Sequence, residues 1–73
     1  MVAKRVRAGV TYRYQPVGMD VYRPASHAEP GQLVTVFNVF GAPRANTMGH
    51  CHIKDADTGE FLGLVLTNSL EKR

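Results

Sequence analysis

Three arginines, Arg5, Arg7 and Arg13, stand at odd positions of one segment, and in an extended strand they share a face. Guanidinium groups pair bidentately with phosphate or carboxylate, so such a row is suited to an anion. Lys4, Tyr14, Tyr22 and Arg23 extend the row, with rings able to stack on bases or on arginine. The competing reading is a solvated face kept charged against edge-to-edge aggregation. Three arginines with no lysine between them favour recognition geometry.

His50 and His52 lie two apart, so on a strand they share a face and could chelate a divalent metal. A closed site needs two more ligands, and Cys51 points the other way on such a strand, so no metal or other cofactor is expected. The pair reads better as a polar patch at a binding surface, within the range where imidazoles titrate. Cys51 beside histidine has the residue types of a thiol nucleophile, but adjacent strand residues face opposite sides and neither neighbour can serve as its base. A small buried core thiol is the expectation. Asp55, Asp57 and Glu60 carry only part of a calcium-loop series, and a tight turn explains them without a metal. No paired acid and base can be assembled, so the chain reads as a non-enzyme.

These groups need elements to hold them. From Arg5 to Tyr14 the alternation puts Val6, Ala8, Val10, Tyr12 and Tyr14 on an inner face. Pro16 and Gly18 mark a turn, and Val21, Tyr22 and Arg23 suit a short second strand ended by Pro24. Pro30-Gly31 signals a type II turn, with proline fixing the first torsion and glycine accepting the positive second one. Leu33 to Phe40 is the strongest β segment, apolar on both faces except for Asn38, as in a strand at the centre of a closed or sandwiched sheet. Gly41-Ala42-Pro43 breaks it, and Arg44 is the single cation of the loop that follows. Thr47 to Lys54 alternates again, Asp55 to Glu60 makes a hairpin turn with Gly59 left-handed, and Phe61 to Leu66 returns. No 12-residue window has a helical apolar period, so the chain is expected to be all-β.

With 73 residues, the chain suits one domain with one small core, spanning 1–73, with ends at 1–4 and 71–73 that could order only on a partner. A single cysteine excludes an internal disulfide. That favours the cytosol over secretion, and neither a signal peptide nor a membrane span is visible. The net charge of +3 is unevenly placed. Residues 1–23 hold five basic side chains against Asp20, whereas residues 50–73 hold more acids than bases.

The order of signals resembles Src-homology-3 domains. Val10-Thr11-Tyr12-Arg13-Tyr14 sits where that family carries Ala-Leu-Tyr-Asp-Tyr, and a long loop follows. Pro30 to Val36 looks like the diverging turn and second strand, and Thr58 to Leu70 like the distal hairpin, fourth strand, short 3₁₀ turn and final strand. The resemblance implies a small five-stranded barrel with a 3₁₀ turn before its last strand. This chain's departures from the family argue against the proline-peptide groove. The chain has no tryptophan, Met48-Gly49-His50-Cys51-His52 occupies that region, Leu66 and Ser69 replace the proline and tyrosine, and only Asn68 remains of the ligand-facing set.

Closer functional analogues are the basic barrels of prokaryotic and phage proteins, including KOW-type modules of elongation factors and ribosomal proteins. In these barrels the loop of Arg44 borders the ligand face. By size, charge and architecture the chain is also similar to small phage regulators that attach to host RNA polymerase in the cytoplasm. The expectation is a protein acting by occupancy on RNA polymerase through its basic strand face, with Arg44, His50, His52 and Asn68 as further contacts. A KOW-like RNA- or ribosome-binding module and an adaptor subunit of a protein complex are the alternatives. Neither a small-molecule substrate nor a membrane partner is expected.

Overall fold

The computed structural model describes residues 6–40 and 49–73. Six strands form one antiparallel sheet: β1 (Thr11–Tyr14), β2 (Ala25–Ser26), β3 (Leu33–Phe40), β4 (His50–Asp55), β5 (Phe61–Leu66) and β6 (Leu70–Lys72). A one-turn helix, α1 (Met19–Tyr22), stands between β1 and β2, and a 3₁₀ turn (Thr67–Ser69) joins β5 to β6. The strand order is β2-β5-β4-β3-β1-β6, so β2 and β6 are the ends and do not pair with each other. The fold is all-β, with six strands rather than five. The extra strand is β2, two residues that pair with Leu64 and Gly63 of β5.

Alternation places Tyr14, Val34, Val36, Cys51, Ile53, Leu62, Val65 and Leu70 in one core, with Val6, Tyr12, Ala28 and Val39 packed against it. Two bulges interrupt the period of two. In β3, Val36 pairs with Ile53 and Asn38 with His52, leaving Phe37 as the extra residue. Phe37 and Asn38 are both exposed, and Val39 returns to the core side. In β5, Ile53 pairs with Gly63 and Lys54 with Phe61, so Leu62 is the extra residue and is buried together with Gly63. This corrects the two-faced reading of β3: one face is buried, and the bulge turns Phe37 outward.

The turns follow from their residues. Gln32 N–H donates to the Glu29 carbonyl at 3.0 Å with Gly31 at φ 85°, the type II geometry expected of Pro30-Gly31. At the hairpin, Gly59 has φ 76°, its N–H donates to the Asp55 carbonyl at 3.0 Å, and the Asp55 carboxylate accepts from the N–H groups of Asp57 and Thr58. Val21 to Arg23 is not a strand. Gly18 enters α1 at φ 55°, and Asp20, 7% exposed, ties that helix to the sheet by accepting from Leu66 N–H at 3.0 Å and Ser69 Oγ–H at 2.5 Å. A carboxylate with two directed donors can be buried where an unbonded one cannot.

Candidate functional site

The expected arginine row is not one strand face. Strand β1 begins only at Thr11, because Arg7 to Val10 form a turn in which Val10 N–H donates to the Arg7 carbonyl at 3.3 Å and Gly9 sits at φ 87°. Ala8 and Val10 are consequently exposed instead of lying on the inner face. Arg13 does point outward, opposite Leu33 on one side and Glu71 on the other. Arg7 is exposed on the turn, separate from Arg13. Lys4, Arg5 and Arg44 lie outside the described residues.

Two expected contact residues are interior. Tyr14 is 2% exposed, and burial, reinforced by the Asp20 charge, raises its phenol pKa. It sits at the inward end of β1, where the alternation itself places it. Asn68 is buried in the 3₁₀ turn. Neither offers a surface to a partner. Tyr22 and Arg23 are exposed, but on and just after α1, which Asp20 fastens to Leu66 and Ser69, so they do not line up beside β1.

What the fold brings to Arg7 instead is the segment after the 3₁₀ turn. Tyr12 of β1 pairs with Lys72 of β6, and the two strands bound an open groove of about 730 Å³ lined by Val6, Arg7, Val10, Thr11, Tyr12, Lys72 and Arg73. Arg7 N–H donates to the Tyr12 hydroxyl at 3.0 Å, which fixes the turn over the strand. Arg7, Lys72 and Arg73 are exposed, and no Asp or Glu side chain lines the groove among the described residues. Three cations with no acid between them give a positive local field. Sequence reasoning missed Lys72 and Arg73 because they lie in the acid-rich third of the chain. Only the return of β6 along β1 brings them to Arg7.

The second exposed feature is on the outer face. Phe37, His52 and Phe61 form a closed triangle of rings: Phe37 and His52 stack with centroids 5.8 Å apart, and Phe61 meets Phe37 and His52 edge-on at 5.6 and 5.4 Å. His50 and His52 share this face, as their spacing predicts, with His50 exposed and His52 half-buried under the rings. Lys54 is on the same face, paired directly with Phe61. Among the described residues, no group of three His, Cys, Asp or Glu is arranged to hold a metal.

Cys51 is fully buried, its thiol pushed up to about 12 first by burial and then by the Asp20 charge. A thiol held protonated in the core is a packing group and not a nucleophile. Among the described residues, no helix is long and apolar enough to cross a membrane. Comparison with protein-family models, with curated proteins and with solved structures gives no match.

Proposed function

We propose that the chain is a non-enzymatic binding module that acts by occupancy, taking an acidic segment of a protein partner into the groove between β1 and β6. The observation that carries this reading is the convergence of Arg7, Lys72 and Arg73 on a groove with no acid in its described lining. Guanidinium and ammonium groups beside the Tyr12 ring suit a carboxylate-bearing extended segment. Val6 and Val10 add apolar lining that a purely solvated charged edge would not need.

The Src-homology-3-type reading remains part of this proposal. Support comes from the 3₁₀ turn ahead of the last strand and from the pairing of β1 with both β3 and β6. The partner implied by the separate similarity in size, charge and architecture to small phage regulators is bacterial RNA polymerase, with the module acting as such a regulator. The test is comigration of the tagged chain with purified polymerase at low salt, beside a variant carrying Arg7→Ala, Lys72→Ala and Arg73→Ala. Nuclease-resistant comigration that the variant loses supports the reading. No comigration, or comigration the variant retains, removes it.

A further inference from the structure

The groove makes no use of the outer face of β3, β4 and β5, and that face carries exposed rings. Phe37 is 43% exposed and Phe61 56%, so neither ring is needed to fill the core. Each is held in place by the other and by His52 at centroid distances under 6 Å. A bulge in β3 is what turns Phe37 outward, and bulges re-aim side chains at functional surfaces.

The charge around the rings selects the occupant. The described positions of these three strands that share the face include Leu33, Thr35, Phe37, Asn38, His50, His52, Lys54, Phe61, Leu64 and Leu66, with Lys54 directly across from Phe61. None is a carboxylate. Asp55 and Glu60 form the next pair along the hairpin, through Asp55 N–H to the Glu60 carbonyl at 2.8 Å, and by alternation fall on the other side. The exposed part of the face combines two rings, a cation and the polar groups of Thr35, Asn38 and His50.

We propose that this face is a stacking platform for single-stranded RNA: unpaired bases lie on Phe37 and Phe61, and Lys54 meets the phosphate that joins them. Rings on a sheet surface take any base, since every base offers a π-face. A duplex keeps its bases stacked on one another and cannot present them to the rings. The exposed amide of Asn38, beside the rings, can donate to or accept from a ribose 2′-hydroxyl, the group by which RNA differs from DNA at such a site. This inference stands on different residues from the groove and does not depend on it.

Fluorescence anisotropy with the full chain tests it, using a short labelled oligouridylate as probe. Competitors are oligothymidylate, an RNA duplex and an abasic ribose-phosphate polymer of the same length. Oligouridylate is expected to bind, and to weaken about tenfold or more with Phe61→Leu or Phe37→Leu. Phe61→Tyr, which keeps the ring, should hold within about twofold of wild type. Lys54→Ala should weaken binding and reduce the salt slope by about one. The factor lost with Phe61→Leu should be the same in the Arg7, Lys72 and Arg73 to Ala background, which separates this site from the groove. Absence of binding, an equal affinity for the abasic polymer or the duplex, or leucine variants that bind like wild type would overturn the platform. Equal affinity for oligothymidylate would overturn its assignment to RNA.

Discussion

The two ends of the sheet are built differently. At the β2–β5 end, α1 and the 3₁₀ turn close over the core. A buried carboxylate, Asp20, holds both together through Leu66 and Ser69, and strand β2 passes against Gly63 with no room for a side chain. At the β1–β6 end the same sheet stays open, with three cations around a groove and no acid among the described lining residues. At the first end Asp20 and Ser69 face inward and are hydrogen-bonded, while the buried Thr67 hydroxyl beside them has no partner among the described residues; at the second end Arg7, Lys72 and Arg73 face solvent. Both ends contribute core residues, Tyr14 and Leu70 among them, but it is the first that a buried carboxylate ties down, and the second for which binding is proposed. Substitutions should divide the same way: stability lost at the first end with affinity intact, affinity lost at the second with stability intact.

The sharpest break of that comparison is at Gly63. Its φ is 126°, and a β-carbon there would lie 2.5 Å from the Ala25 carbonyl oxygen and 2.9 Å from the Ser26 Cα. Backbone atoms of β2 cannot yield as a flexible side chain does. Gly63→Ala should cost roughly 3 kcal/mol or more, from the strained torsion together with the clash. Denaturant unfolding measures it. A loss below about 1 kcal/mol would mean that β2 lifts off easily and is not part of the closed end.

Asp20→Ala comes next. It removes the acceptor for Leu66 N–H and Ser69 Oγ–H in a buried place, and leaving such donors unbonded costs about 1–3 kcal/mol each. Asp20→Asn keeps an oxygen for Leu66 and should recover much of that loss. Both variants also remove the charge that helps raise the Cys51 and Tyr14 pKa values, so the Cys51 thiol should titrate lower than in wild type. Thiol titration followed by ultraviolet absorbance checks this independently of stability. An unchanged Cys51 titration would show that burial alone holds the thiol protonated.

How far these features were legible depended on whether they were local. The Pro30-Gly31 turn, the Asp55–Glu60 hairpin and the burial of Cys51 each follow from residue types within a few positions, and each is present, as is the Thr67–Ser69 turn that the family resemblance implies. The alternation runs on through Gly9, but Arg7 and Arg13 do not share a strand face, because glycine is the residue that admits the turn found there. The bulges at Phe37 and Leu62 were invisible because an unbroken apolar run carries no mark of where a register slips. The groove was hidden for a different reason. Its cations come from Arg7 and from Lys72 and Arg73, and only the pairing of β1 with β6 unites them.

At the open end the expected effect is on binding. The variant with Arg7, Lys72 and Arg73 all changed to Ala should lose about tenfold or more in affinity for its partner at low salt, and less as salt screens the wild type. Because all three side chains are exposed, its stability should stay within about 0.5 kcal/mol of wild type. A matching fall in stability would show that the groove residues hold the fold and would erase the contrast between the ends.

Cys51 gives a pH-dependent measure of the closed core. Its thiol stands at about 12 in the folded chain against an ordinary value near 9.0. A raised folded pKa contributes stability that is fully present below the unfolded value and is lost as pH rises through the folded one. Stability should therefore fall from about pH 9 to about pH 12, and Cys51→Ala, though less stable at neutral pH, should show a shallower fall. At neutral pH a thiol reagent should label Cys51 only as fast as the chain unfolds.

The smallest expected effect is at the hairpin between β4 and β5, remote from both ends of the strand order. Asp55 is held below the usual carboxylate value of 3.8, first by the Thr58 N–H, then by the Gln32 side-chain amide and the Asp57 N–H. A lowered folded pKa works in the opposite sense to Cys51: the contribution is present above the unfolded value and is lost as pH falls through the folded one. Asp55→Asn retains an oxygen for the turn N–H groups but not the charge, so it should be slightly less stable than wild type at pH 7. That gap should narrow as the pH falls below 3.8 and through the lowered folded value, as the wild-type carboxyl takes up its proton. The urea midpoints of the two chains, compared across that range, measure the gap. A gap that persists in acid would assign the loss to altered packing at the turn, and the Thr58, Gln32 and Asp57 hydrogen bonds would then owe nothing to the charge.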